Sequence, residues 1–215
     1  GFTDVETVVK AGTNALASYG LEAKDSDKIL NVMAKTVDLG KIEFDELAGS
    51  LGNVTNLAAA SNVSFAEVSA AVAQYSLTAG SAERATTGVR SILDSLIKPT
   101  EQAAEVAKDL GISWDASALK SKGLSGVLTD LKNALEKAKL EGKDTGAAVA
   151  TLTGRVEATS AALSLMSDTG LKGFNENIKV LQKEFANGSA SADSFKASQE
   201  SLSGQLKLLT NTITK

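Results

Sequence analysis

Ile42-Glu43-Phe44-Asp45-Glu46-Leu47 and Val63-Ser64-Phe65-Ala66-Glu67-Val68 are two versions of one phrase, 21 residues apart, and each opens a run of apolar residues at three- and four-residue steps. Phe44, Leu47, Leu51, Val54 and Ala58 in the first run match Phe65, Val68, Val72, Tyr75 and Ala79 in the second. Such steps put the apolar residues on one face of an α-helix. Because 21 residues are three heptads, part of the agreement is automatic. The copied lead-in is what marks a real helix-and-loop unit. Ser64 and Glu67 have the spacing of a capping box, in which the serine oxygen accepts from the first turn and the glutamate reaches back to the serine amide.

Working outward, the same periodicity fills the chain. Upstream, Val5, Val8, Gly12, Ala15 and Tyr19 predict a helix broken at Gly20. A second is predicted from Asp25 or Ser26, burying Leu30, Met33 and Val37 and ending at Gly40, where a left-handed cap is easiest for glycine. Downstream, the phase runs on to Leu93 and Leu96. Lys98-Pro99-Thr100-Glu101 then restarts a helix that Leu110-Gly111-Ile112 ends. Residues 113–121 read as a loop around the single tryptophan, Trp114. Composition shifts here, which predicts subdomains at 1–112 and 113–215.

The second half carries four stripes: Leu124, Leu128, Leu131, Leu135 and Ala138; Val149, Leu152, Val156, Thr159, Leu163 and Met166; Leu171, Phe174, Ile178, Leu181 and Phe185; and Phe195, Leu202, Leu206 and Leu209. Breaks are expected at Glu141-Gly142, Thr169-Gly170 and Asn187-Gly188-Ser189. The regular phase predicts helices packed side by side or in coiled-coil fashion. The expected fold class is therefore all-α: an array of about nine to ten amphipathic helices, bundle or hairpin-like, with no β-sheet. Gly49, Gly52, Gly88, Gly154 and Gly204 fall within stripes, where each costs about 1 kcal/mol relative to alanine. They mark either close helix contacts or helices that depend on partners, and the second reading is slightly preferred.

Composition narrows the function. The 215 residues include no cysteine and no histidine, which removes thiol and imidazole chemistry and the commonest zinc ligands. A formal charge of −4 argues against a nucleic-acid surface. The six lysines from Lys120 to Lys143 are interspersed with Asp130, Glu136 and Glu141, as on a solvated helix face. No apolar run is long enough to span a membrane. The opening Gly1-Phe2-Thr3-Asp4 is neither a signal peptide nor a natural initiator, so the chain reads as an excised piece of something longer.

The acidic clusters Glu43-Asp45-Glu46 and Asp25-Asp27 have the types needed for acid–base work or cation binding. Both fall in expected first turns, where negative charge offsets the helix dipole. Asp25-Ser26-Asp27 fails as a calcium loop, because Leu30 stands at position six and no glutamate stands at twelve. No phosphate loop, dinucleotide fingerprint or Gly-x-Ser-x-Gly elbow is present. Trp114 is either an interface anchor or, as preferred, an apolar plug behind Gly111. No catalytic, cofactor-binding or metal residue is assigned, and no cofactor is expected.

Several segments in order resemble a known family. They are residues 39–48 (Leu39-Gly40-Lys41-Ile42-Glu43-Phe44-Asp45-Glu46-Leu47-Ala48), Ser50-Leu51-Gly52-Asn53-Val54, residues 63–71, residues 85–93 and Leu96-Ile97-Lys98-Pro99-Thr100, with Leu110-Gly111-Ile112 beyond. Together they resemble the core of phage tail tape measure proteins over about residues 25–112. A weaker likeness extends through Leu152-Thr153-Gly154-Arg155-Val156 to Leu163-Ser164-Leu165-Met166. Asn56 departs from the family pattern, which favours a small or apolar residue there. The resemblance implies a non-enzymatic virion protein that lines the tail lumen, sets tail length, scaffolds tail tube assembly in the host cytoplasm and is ejected during genome delivery. Its implied partners are sister copies of itself and the tail tube and tail assembly chaperone proteins, with no small-molecule substrate. The competing reading is a helical adaptor or effector module that binds one protein partner without catalysis. A cell-wall hydrolase, which parent proteins of this family can carry, stands third.

Overall fold

The computed structural model describes residues 5–187. They form ten α-helices and one 3₁₀ turn, and no strand occurs among the described residues. The helices are α1 (Val5–Ser18), α2 (Ser26–Gly40), α3 (Phe44–Ala60), α4 (Phe65–Ala79), α5 (Ala82–Ile97), α6 (Glu101–Leu110), α7 (Ala116–Leu140), α8 (Thr145–Thr153), α9 (Val156–Met166) and α10 (Asp168–Asn187). The 3₁₀ turn, Ala23–Asp25, leads into α2. The all-α expectation holds, and so do the repeat's two helices. The fourth stripe, Phe195 to Leu209, lies outside the described residues.

The helix starts follow from local chemistry. The Ser64, Ser81, Thr100, Asp115 and Asp144 side chains each accept a hydrogen bond from the backbone N–H three residues on. Each such bond satisfies a first-turn donor that has no intrahelical partner. At the far ends, Gly80, Gly111 and Gly154 adopt φ of 78°, 68° and 67° and stop α4, α6 and α8. Ile112 N–H bonds back to Ala107 C=O at 3.0 Å, closing the turn after α6.

α4 is the centre of the array. Phe65, Ala66, Val68, Ser69, Ala70, Ala71, Val72, Ala73, Tyr75 and Ser76 are all buried, so this helix is covered on nearly every side. It packs chiefly against α10, α2 and α5; α3 lies between α1 and α5, α9 covers α5, and α6 packs on α8. Its many alanines and serines let these neighbours approach closely. The copied helix α3 is instead amphipathic, with Asn53 and Asn56 in solvent. Asn56 accepts a hydrogen bond from the Ser18 hydroxyl of α1, so the departure from the family pattern sits at a polar rim outside the core.

Helices on both sides of residue 112 contribute to one continuous apolar core, which runs from Val8 through Leu93 and Trp114 to Phe174 and Leu181.

Four local expectations are revised. Gly40 is the last residue of α2 and not its left-handed cap; Lys41 takes that conformation, at φ 53°. The reason is a neighbour: a Cβ on Gly40 would lie 2.6 Å from Ser76 Oγ and 3.1 Å from Ala73 Cα. Glycine is needed for the α2–α4 approach, and the cap falls to the next residue. The Val149–Met166 stripe is two helices, parted at Gly154. α9 buries Ala158, Ala161, Ala162, Leu165 and Met166, leaving Val156 and Leu163 78% and 48% exposed. The break expected at Thr169-Gly170 falls at Ser167, whose hydroxyl accepts from Gly170 N–H. Residues 116–121 are helical, not loop, because Asp115 caps Ala118 N–H at 2.8 Å.

Candidate functional surface

Each acidic cluster is occupied with structural work. Asp25 accepts from Lys28 Nζ at 2.8 Å and from Glu22 N–H at 3.2 Å, closing the 3₁₀ turn. The hydrogen bond from Lys28 holds its carboxyl below the usual carboxylate range. In the second cluster, Glu46 Oε1 accepts from Ala82 N–H at 2.9 Å, capping α5 from 36 residues away. Among the described residues, no group of three or more acidic side chains is gathered as a metal would need.

Glu67 departs from the capping-box expectation in an informative way. Ser64 Oγ does accept from Glu67 N–H, at 3.1 Å, but the Glu67 carboxylate turns away from its own helix and accepts from Ser125 N–H at 2.9 Å. The reason lies in α7, which breaks at Gly123 (φ 69°, ψ 178°) and so presents a second set of unpaired first-turn amides. Burial pushes the Glu67 carboxyl up, while the Ser125 and Leu124 amides pull it down. Glu46 and Glu67 are 21 residues apart, the repeat distance, and each caps a helix later in the chain. The copied unit therefore carries a copied tertiary contact.

Tyr19 closes the same corner. Its hydroxyl donates to Val63 C=O at 2.9 Å, and its ring meets Phe65 edge-on at 5.7 Å. Burial, with the Glu67 charge adding to it, raises its phenol well above the ordinary value.

Trp114 is 2% exposed and belongs to the core, so it is the plug and not an exposed anchor. The lysine-rich stretch is a solvated face: Lys122 pairs with Asp130, Lys132 with Asp168, and Lys143 with Glu141. What the surface does offer is apolar. Val156 and Leu163 stand seven residues apart on α9 and share its outer face. Leu77 of α4 is 50% exposed, and its neighbour Thr78 hydrogen-bonds through Oγ1 to Ser164 Oγ of α9 at 2.7 Å, beside Leu163. The surface also carries open clefts elsewhere. One of about 460 Å³ runs between the end of α5 and the α8–α9 turn, lined by Asp94, Lys98, Thr100, Thr151 and Arg155 among others. The second, of about 300 Å³, is lined by Tyr19, Leu21, Ser64, Phe65, Ala66, Gln182 and Phe185.

Surfaces of this kind suit protein contacts. Residues 1–154 match the sequence model of the phage-related minor tail proteins. The chain belongs to that family. The match ends at Gly154, so it takes in α1 to α8 and the whole repeat. Two curated proteins are similar to the chain as well. The chain is 27% identical over 187 residues to a probable tape measure protein of Clostridium phage phiCD119, covering 86% of this chain and 19% of that protein. It is 26% identical over 160 residues to a probable tape measure protein of Escherichia phage P2, covering 72% of this chain and 20% of that protein. The chain thus spans about a fifth of the length of these curated relatives. No solved structure matches it. As a phage tail protein it is placed in the virion tail, and no described helix is long and apolar enough to cross a membrane.

Proposed function

We propose that this chain is a non-catalytic segment of a tail tape measure protein: it helps set tail length, scaffolds tube assembly in the host cytoplasm, and leaves the tail lumen during genome delivery. Family membership carries the reading, supported by two relatives that are themselves probable tape measure proteins. Its partners on this reading are sister copies, tail tube subunits and tail assembly chaperones, met through exposed apolar side chains such as Leu77, Val156 and Leu163. On this reading residues 1–112 are the core-region subdomain and 113–215 a second helical subdomain.

Geometry adds a physical requirement. A ruler measures length per residue, and an α-helix supplies about 1.5 Å for each. Folded as described, the longest helix of the array is α7, with 25 residues and a break within it. The packed array spans only a small part of the roughly 320 Å that 215 residues would cover as one helix. A segment that measures at about 1.5 Å per residue in the tail must open from this packed form, which would make the buried faces available to sister copies.

An in-frame deletion of codons 25–112 in the parent phage, with tail lengths measured by electron microscopy, tests the reading. Removal of 88 helical residues shortens tails by up to about 130 Å if the segment is extended. Shortening by only a few tens of ångströms indicates a segment that stays folded in the tail. Unchanged length with normal infectivity overturns the ruler role.

A further inference from the structure

The break in α7 is capped on both sides from one place. An unbroken helix would pair Leu124 N–H with Lys120 C=O and Ser125 N–H with Ser121 C=O. Instead the Glu67 carboxylate accepts from Ser125 N–H at 2.9 Å and draws on the Leu124 amide, while Lys120 C=O accepts from the Asn62 side chain at 3.4 Å. Asn62 lies in the turn between α3 and α4 and Glu67 in the first turn of α4, so one short stretch takes up the donors and the acceptor that the break sets free.

Two glycines fit only the bent form. Gly123 takes φ 69° and ψ 178°, and a Cβ there would lie 2.7 Å from the Glu67 carboxylate. A Cβ at Gly126 would lie 2.7 Å from Lys122 Cβ. Residues four apart on an unbroken helix keep their Cβ atoms roughly 5–6 Å apart, so this second crowding exists only while the helix is broken. Lys122 also pairs with Asp130 across the break. On an unbroken helix those two residues would be separated by about 12 Å along the axis.

Burial is what favours the bend. On a straight helix Leu124, Val127, Leu128, Leu131 and Ala138 would share one face, and Ala118 and Leu119 would point roughly 120–140° away from it. All of them are buried, Leu119 completely. Bending turns the first segment of α7, with Trp114 just before it, into the same core. Straightening would restore hydrogen bonds within the helix at the cost of exposing Ala118 and Leu119.

We propose that Gly123 is a latched hinge: Glu67 and Asn62 hold α7 bent, and when they let go residues 116–140 become one continuous helix while Ala118 and Leu119 leave the core. The packed array thereby has a defined point of opening. This inference concerns the folded chain and stands whether or not the segment measures tail length.

Distances between two spin labels on the full 215-residue chain test it. The chain has no cysteine, so Ser117→Cys and Glu136→Cys, both at exposed positions, give two unique attachment points. A continuous helix puts about 28 Å between them, and the bent form less. The shorter distance is expected in the otherwise unchanged chain. Glu67→Ala removes the latch and is expected to lengthen the distance to about 28 Å while the chain still unfolds cooperatively in urea. An unchanged short distance in Glu67→Ala with cooperative unfolding retained would overturn the proposal, because core packing alone would then hold the bend. If that variant loses its cooperative transition, Gly126→Ala decides, since its Cβ displaces Lys122 and leaves Glu67 intact. Lengthening in Gly126→Ala supports the hinge; a short distance or a lost transition there overturns it, because a hinge lets go without melting the array.

Discussion

At the scale of single residues, the glycines separate two physical roles that look alike in sequence. A Cβ at Gly88 would lie 2.5 Å from Tyr75 Cε1, 2.9 Å from Ala161 Cβ and 3.2 Å from Glu157 O, where α5 meets α4 and α9. At Gly49 a Cβ would meet nothing within 4 Å. Gly88→Ala is therefore expected to destabilise the fold by about 1–3 kcal/mol through overpacking, despite its better helix propensity. Gly49→Ala is expected to stabilise it by up to about 1 kcal/mol. Urea denaturation followed by circular dichroism reads both, and equal effects at the two sites would contradict the packing. The preferred reading of the stripe glycines, as marks of helices that depend on partners, thus fails at Gly88, which is a close contact, and at Gly154, which is a cap. Gly204 lies outside the described residues.

Among the elements, the capping of one helix by a side chain from another is the feature local spacing could not show. Glu67 binds the broken start of α7, and burial raises its pKa above the ordinary glutamate value. A carboxyl with a raised folded-state pKa holds its proton more tightly folded than unfolded. Between its ordinary pKa and the raised one, the folded state binds more protons, so stability falls as pH rises through that window. Glu67→Gln, which never ionises, is expected to remove this part of the pH dependence. Chemical denaturation of both proteins from pH 4 upward checks the sign; a stability difference that does not change with pH would refute the assignment. Gly123 belongs to the same device, since its φ of 69° with ψ of 178° suits glycine alone and its Cβ would sit 2.7 Å from the Glu67 carboxylate.

For the whole molecule, the question is how far residues 1–112 stand by themselves. Their α4 and α5 faces are covered by α10 and α9. Made alone, this fragment is expected to remain helical, to bind more of a hydrophobic dye than the full chain, and to unfold at lower urea. A monomeric fragment with the full chain's midpoint would show that the second half adds nothing to its stability. The outcome also bears on the ruler reading. A segment that opens in the tail must give up a folded state whose stability is typically about 5–15 kcal/mol, which contacts with sister copies and the tube would have to replace.

Much of this protein follows from its sequence alone, because helix periodicity, serine and aspartate caps and glycine stops act within a few residues of each other. The all-α class, both repeat helices, the stop at Gly111 and the family likeness over about residues 25–112 were all legible there. The absence of histidine and cysteine from the sequence likewise narrowed the chemistry before any fold was known. Tertiary structure decided what depends on residues far apart in the chain. It determined that Gly40 answers to Ser76 and Ala73, that Glu46 and Glu67 serve α5 and α7, and that α9 turns Val156 and Leu163 outward. Apolar spacing gives a helix a face, but only the neighbouring helices determine which face is covered. α4 is buried nearly all round while its copy α3 keeps a wet side, although the two share one pattern of apolar positions.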